Sequence, residues 1–361
     1  MSSVANSSKE SEVKVEVIIP NFGKRFSGVT STMLKVLPYQ LERANLVVWG
    51  KRFLDPSMPA VGLSELLKIT KSPLPAGRCR VFHARRNIEM LWGLILKKVF
   101  RRSLKLIFTS TAQRKHSAYT RFLYMKMDAI VTTSNKAGSF LIKPADYTIP
   151  HGVSLQEYPY IEDKASAWSK LGFPGRRGIG IFGRVRPQKG IDLFVDAMIE
   201  MLPAFPEYTA VIVGKTTEKF HSFVDEQKKK ILSAGLENRF VWLGEVDYEE
   251  LPQLFGTMSI VAAVSRVEGF GLTCLEAMSS GTPVIASRTG GFELVVRDGV
   301  DGKLVPCGDS QSIALAFESM AKDSDGLAVM GRSARMRVET EFTVEREAEA
   351  LLKVYQEQAA K

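Results

Sequence analysis

Cysteine, histidine and long apolar runs are all scarce in this chain, and each scarcity narrows what it can be. The three cysteines in 361 residues, Cys79, Cys274 and Cys307, are odd in number and far apart. They form no disulfide framework and no metal-ligand spacing, so the chain reads as a reduced, cytosolic protein. The four histidines, His83, His116, His151 and His221, make no HxxxH or HExxH pair. No stretch approaches the roughly 20 apolar residues that cross a bilayer. The polar opening MSSVANSSKESE lacks the apolar centre of a signal peptide, and residues 1–12 are expected to be a disordered start. Acidic residues are nearly missing from one region. Between Leu66 and Met127 Glu89 is the only one, against fifteen lysines and arginines, in a chain of formal charge +10. Such a field attracts phosphates, anionic lipids or acidic sugars, and the same composition also suits a plain solvated basic face.

Short apolar, β-branched runs alternate with segments of helical spacing. Val13–Ile19, Leu46–Trp49, Arg80–His83, Leu106–Thr109 and Ala129–Thr133 read as strands, and Thr30–Arg43 and Asn87–Arg102 as helices. A Pro- and Gly-punctuated stretch from Tyr147 to Arg177 interrupts the pattern, as a domain junction does. Alternation then resumes. Ile179–Phe182, Ala210–Val213, Phe240–Leu243, Ser259–Val264 and Pro283–Ala286 are the expected strands; Asp192–Leu202, Glu218–Ala234, Glu249–Gly256 and Thr273–Ser279 are the expected helices. The pattern predicts an α/β chain of two doubly wound, parallel-sheet domains, 13–160 and 161–340, facing a central cleft, with a last helix over 341–361. Open sheets of this kind bind ligands beyond the carboxyl ends of their strands.

The densest chemistry lies in Ser265–Glu276, SRVEGFGLTCLE. Gly269 and Gly271 let backbone approach a ligand closely. The helix that follows opens with unpaired N–H groups suited to a diphosphate. Glu268 and Glu276 flank this turn and can accept hydrogen bonds from hydroxyls; the plainer alternative is an acid near a helix start and a surface glutamate. A second segment, Gly183–Gly190 (GRVRPQKG), directly follows the strand GIGIF and opens a helix. There Arg184 offers a diphosphate a bidentate fork and Lys189 a point charge.

In order, GRVRPQKG, Gly244-Glu245-Val246, EGFGLTCLE with its E-x7-E spacing, GTPVIAS and DGVDGKLVPCGD resemble the donor domain of the retaining glycosyltransferase family 4, of GT-B fold, over most of residues 178–310. The resemblance implies that Arg184 and Lys189 neutralise a donor diphosphate. It implies that Glu268 and the Gly269–Gly271 backbone hold the transferred sugar's hydroxyls, that Phe270 and Leu272 are also donor-binding, that Glu276 holds the ribose, and that Val246 lies near the base. It also implies that the C-terminal helix crosses back onto the first domain. No cofactor is expected beside the nucleotide-sugar substrate. Asn21–Thr30 (NFGKRFSGVT) resembles the family's glycine-rich loop, whose Gly28 would let backbone reach the donor phosphate. Its G-x4-G spacing mimics a P-loop, but Val29 stands where the lysine is required, which excludes a kinase or ATPase. His83, in VFHARRN, matches a position where the family often has a histidine facing the reacting sugar, so it is expected to be catalytic together with Arg184, Lys189 and Glu268. Arg85 and Arg86 beside it are expected to bind an acidic acceptor. His151, in IPHGV, reads as structural.

Asp323-Ser324-Asp325 has the D-x-D form of metal sites in another transferase class, but it falls between helical runs and reads as a helix-capping loop, so no metal is expected. Asn87–Arg102 sets Leu91, Trp92, Ile95, Val99 and Phe100 among cations. That suits either a core-facing helix or a peripheral contact with anionic membrane, Trp92 lying at the interface. Over its whole length, including HSAYTRFLYMKMDAIVTTSN and IPHGVSLQEYP, the chain is similar to the mannosyltransferases that build the lipopolysaccharide core of α-proteobacteria. That resemblance implies GDP-mannose as donor, an anionic, Kdo-containing glycolipid as acceptor, and work in the cytoplasm or at the cytoplasmic face of the inner membrane. A UDP-dependent glucosyl- or galactosyltransferase is the nearest alternative. A nucleotide-sugar epimerase and a basic nucleic-acid-binding protein are more distant ones; no nucleic-acid-binding motif is recognisable, and no nucleic acid is expected as partner.

Overall fold

A computed structural model of the chain describes residues 14–25 and 27–361; the start expected to be disordered, and Phe26 of the glycine-rich loop, lie outside the described residues. The first sheet contains β1 (Val17–Pro20), β2 (Leu46–Trp49), β3 (Ala60–Val61), β4 (Arg80–Ala84), β5 (Leu104–Ser110), β6 (Ala129–Thr132) and β7 (Tyr147–Thr148), in the order β3-β2-β1-β4-β5-β6-β7. The second contains β8 (Arg177–Phe182), β9 (Tyr208–Val213), β10 (Phe240–Gly244), β11 (Ile260–Ala263), β12 (Val284–Ser287) and β13 (Gly302–Val305), in the order β10-β9-β8-β11-β12-β13. All pairings of the second sheet are parallel. Each sheet begins in its middle, grows outward, then crosses its first strand to grow the other way. The order therefore reverses between β1 and β4 and again between β8 and β11, and such reversals are where the loops at the carboxyl ends part to admit a ligand.

Residue alternation explains why the second sheet is covered on both faces. Ile179 and Ile181 of β8 and Ile260 and Ala262 of β11 join one core, while Phe182, Val261 and Ala263 join the other. Successive side chains of a strand point to opposite faces, so a near-continuous apolar run signals burial on both. Gly178, Gly180 and Gly183 have the G-x-G-x-x-G spacing of dinucleotide-binding turns. The first two, however, lie inside β8, where a Cβ would meet Trp168 at 2.1 Å and Met258 at 2.9 Å. Those glycines make room for core side chains.

The described residues divide into two compact units, one within 14–109, 117–131 and 348–361, the other of 110–116 and 132–347. The division at Thr132 differs from the expected boundary at 160. Hydrogen bonds to the chain's later part explain it: Val153 N donates to Phe342 O (2.9 Å), Val344 N to Val153 O (3.2 Å), and Gly152 N to Glu347 Oε2 (2.8 Å). The last helix, Val344–Ala360, has its later residues in the first unit, where Gln40 Nε2 donates to Tyr355 Oη at 3.2 Å and Cys79 N to Ala359 O at 3.1 Å. No helix among the described residues is long and apolar enough to cross a membrane.

Candidate active site

The second unit's site begins where β8 ends. Gly183, Gly214 and Gly244 close the adjacent strands β8, β9 and β10, all with positive φ (122°, 149° and 71°), a region in which only glycine is unstrained. Gly183 N donates to Val213 O and Gly214 N to Gly244 O, at 2.9 and 2.7 Å. A Cβ on Gly214 would meet Gly183 O at 1.9 Å, so the strand ends are packed backbone on backbone. From there GRVRPQKG runs outward. Val185 is buried and its N–H donates to Lys215 O at 3.0 Å, which pins the loop to the segment after β9. The stem of Lys189 lies over Gly183. Gly190 (φ 77°) passes so close to Val264, at the end of β11, that a Cβ would meet its carbonyl at 2.2 Å. The helix Ile191–Met201 starts there.

Lys189 Nζ lies 2.5 Å from Glu268 Oε2, with side chains 19% and 18% exposed. Ser265 Oγ donates to the same carboxylate oxygen (3.2 Å), and Gly269 N donates to the other (3.1 Å). The two loops are fastened independently of that pair. Arg266 clasps Asp192 with two bonds of 2.8 and 2.7 Å and donates to Pro187 O, while its own N–H donates to Gln188 O at 2.9 Å; the Asp192 bonds hold its pKa above the usual arginine value. The Glu268–Gly271 turn in turn rests on the loop after β12. Gly291 N donates to Gly269 O (3.1 Å), and a Cβ on Gly271 (φ 92°) would meet the Phe292 ring at 2.1 Å. Phe270 is buried, edge-on to His151 at 5.2 Å. His151 is itself held by Glu347 at 2.7 Å, the structural setting expected for it.

The charges share one neighbourhood. Burial pushes the Cys274 thiol well up; Glu268 adds to the effect, Lys189 opposes it and Glu276 adds again. Burial, then the adjacent Arg184 charge, lowers the pKa of Arg186 against the pull of Glu268. Lys189 and Glu268 thus meet at the β8/β11 reversal, where the Cys274 thiol senses both of them and Glu276, and Arg186 senses Arg184 and Glu268. Val246 follows β10, half-buried on the core beneath, and Leu272 opens the helix Leu272–Ser279 that carries Glu276.

In the first unit, the loops after β1 and β4 flank the other reversal. Glu89, wholly buried, is their hub. It accepts from Phe22 N (3.4 Å), from Arg85 N (2.8 Å) and from Arg86 Nη1 (2.7 Å). Arg86 Nη2 also donates to Thr30 Oγ1 at 2.8 Å, so this expected acceptor residue is committed to holding the glycine-rich loop. Arg85 has an enclosed Nη1 with no hydrogen-bond partner among the described residues. Gly28 opens the helix Gly28–Leu41, and a Cβ there would meet nothing within 4 Å among the described residues. His83 departs from its expected place. It lies within β4, wholly buried, with Nδ1 2.6 Å from Tyr355 Oη and Nε2 2.6 Å from Thr109 Oγ1. Both ring nitrogens are engaged inside the unit, and burial, then Arg85, holds the imidazole pKa well below its usual value. In this geometry it presents no nitrogen to a sugar and ties β4 and β5 to the last helix.

Comparison with known proteins decides the family. Residues 166–337 match the family model for glycosyl transferases group 1. The chain is 41% identical over 341 residues to the lipopolysaccharide core biosynthesis mannosyltransferase LpcC of Rhizobium leguminosarum bv. viciae, covering 94% of this chain and 96% of that one. It is 37% identical over 346 residues to LpsB of Rhizobium meliloti (strain 1021), a protein of the same description, covering 95% and 97%. The chain belongs to the group 1 glycosyltransferases. Its fold is GT-B: the crystal structure of Anabaena Alr3699/HepE in complex with UDP and glucose matches 95% of this chain and 100% of that one with a TM-score of 0.79 at 20% identity.

In this glycosyltransferase the two loops singled out from sequence meet through Lys189 and Glu268, and several residues around them carried no expectation. Arg186, whose enclosed Nε has no partner among the described residues, lies in GRVRPQKG without an expected role; its proximity to Arg184 was the available signal. Ser265, Gly214 and Glu89 were also missed. Glu89 had a visible mark, being the lone acid in a long basic window. Asp323 caps the helix Ser324–Glu341, accepting from Gly326 N at 2.8 Å.

Proposed function

We propose that this glycosyltransferase moves mannose from GDP-mannose, with retention, onto the Kdo-containing inner core of a lipopolysaccharide precursor. The observation that carries the donor half is the Lys189–Glu268 pair, braced by Ser265 and Gly269 and joined by Arg184 and Arg186 at the β8/β11 reversal. Glu268 uses one ammonium hydrogen of Lys189, which leaves two donors for a diphosphate. Arg184 is exposed and adds a second charge. Cations placed where the leaving diphosphate gains charge stabilise the bond-breaking step, so the mechanism needs no metal, and turnover is expected to withstand chelation. Glu268 and the Gly269–Gly271 backbone hold the sugar's hydroxyls, and Glu276 the ribose. The names of the two rhizobial relatives support mannose and the lipopolysaccharide core. The acceptor half rests on the basic first unit, where the enclosed Nη1 of Arg85 has no partner among the described residues.

The same unit offers a membrane contact. Two neighbouring helices, Asn87–Lys98 and Ala118–Tyr124, are tied by Asn87 Nδ2 donating to Thr120 Oγ1 at 2.9 Å. They and the residues just after them leave Ile88, Val99, Phe100, Tyr119, Phe122 and Met125 exposed beside Lys98, Arg101, Arg121 and Lys126. Apolar side chains among cations suit anionic headgroups. Trp92 is not the anchor, because it packs edge-on against Trp49 at 5.4 Å.

The test is product analysis. Incubation with GDP-mannose and Kdo-bearing lipid A is expected to yield one added mannose of the donor's anomeric configuration. Transfer from UDP-glucose or UDP-galactose instead would replace the donor assignment, and conversion of free donor without transfer would overturn the reading.

A further inference from the structure

The second unit holds a cavity of about 500 Å³ that the donor site does not use. Its walls include Arg177 at the start of β8, and Ser259 and Pro283 just before β11 and β12. These are the amino ends of parallel strands whose carboxyl ends carry Lys189 and Glu268, so the cavity lies on the opposite edge of the sheet. Four basic side chains line it: Lys164, Arg176, Arg177 and Arg332. The carboxylates on its wall are Glu162 and Asp163, and Asp163 is spent on capping its own helix, accepting from Ser166 N at 2.9 Å. Tyr160, Ile161 and Leu327 add apolar surface. A volume of this size suits a small organic ligand, and the balance of charge selects an anionic one.

Lys164 strengthens the argument. Its Nζ donates to Gly256 O (2.6 Å) and to Thr282 Oγ1 (2.7 Å), both neutral. Enclosure of the ammonium lowers its pKa to about 7. An anion bound beside this amine would raise that pKa and keep the group charged. The cavity also abuts the far end of the donor-site helix. Gly281, two residues past Leu272–Ser279, lies so close to Tyr160 that a Cβ would meet its ring at 2.3 Å. An eight-residue helix spans about 12 Å, and this one begins at the Glu268–Gly271 turn.

We propose that this cavity is a second ligand site, taking a small phosphomonoester such as a sugar phosphate, separate from the nucleotide-sugar site. The experiment titrates the full chain with inorganic phosphate and with glucose 6-phosphate by calorimetry. GDP and UDP are both present, so that the donor site is filled whichever base it takes. One site for glucose 6-phosphate is expected to persist under these conditions. It should weaken about tenfold or more in Arg176→Gln/Arg332→Gln, which removes two exposed charges available to the phosphate. It should be unchanged in Lys189→Ala. Melting curves check that the double variant is folded. Binding that vanishes when the nucleotides are added, that is lost in Lys189→Ala, or that is equal in the folded double variant would overturn the proposal.

Discussion

Lys189 and Glu268 show why a close ion pair in a site is a statement about geometry before it is one about stability. Their attraction must offset the desolvation of two mostly enclosed charges, and such pairs often contribute little net. Removing one partner strands the other. Glu268→Gln is therefore expected to lower unfolding free energy by about 1–3 kcal/mol, whereas Lys189→Met/Glu268→Leu should recover most of that loss in denaturant melts while transfer stays abolished. A double variant that melts like the worse single variant would instead make the pair a structural element. His83 makes a separate prediction. Its folded pKa is depressed, so the unfolded chain binds the proton more readily once pH drops below the usual value of 6.5. The stability contributed by neutral His83 is complete above about pH 6.5 and is lost as pH falls toward the folded value. Melting temperature should decline from pH 7 to pH 5 more steeply in the native chain than in His83→Gln, and parallel profiles would contradict the assignment.

Among elements, the loops at the sheet reversals were the part of the site most legible in advance, because short glycine-bearing turns between a strand and a helix are local in sequence. What closes them is not local. Lys189 meets Glu268 across 79 residues, Arg86 meets Thr30 across 56, and His83 meets Tyr355 across 272. No local pattern reports such pairings, which is why His83 looked available and Glu89 incidental. β13 was not among the expected strands for a related reason: GKLV is short and opens with a glycine and a lysine, and only its pairing with β12 makes it a strand. Two glycines give contrasting tests. Gly271→Ala forces a side chain into φ 92° against Phe292 and should cost about 1–3 kcal/mol in a thermal melt. Gly28→Ala meets no atom within 4 Å among the described residues, so its melt should stay within about 0.5 kcal/mol of native. If donor phosphate approaches that backbone, its turnover should still fall.

For the whole molecule, composition suggested anionic partners, and the structure narrows which cations are available to them. Arg86 and Lys97 are paired internally, the latter with Asp128 at 2.6 Å. The cations around Val99 and Phe122, 70% and 58% exposed, face solvent. The chain should float with vesicles containing anionic lipid and not with neutral ones. Phe100→Ser/Phe122→Ser should reduce flotation several-fold without changing turnover on a water-soluble acceptor. Equal flotation with both vesicle types would remove the membrane from the account.

Underlying all of this is the reading of the β8/β11 reversal as the seat of an activated sugar. Calorimetric titration of GDP-mannose into the native chain, Lys189→Ala and Arg184→Ala addresses it. Saturable binding by the native chain, weakened about tenfold or more in each variant, is the predicted result. Native affinity retained in both folded variants, or no nucleotide sugar bound by the native chain, would contradict it.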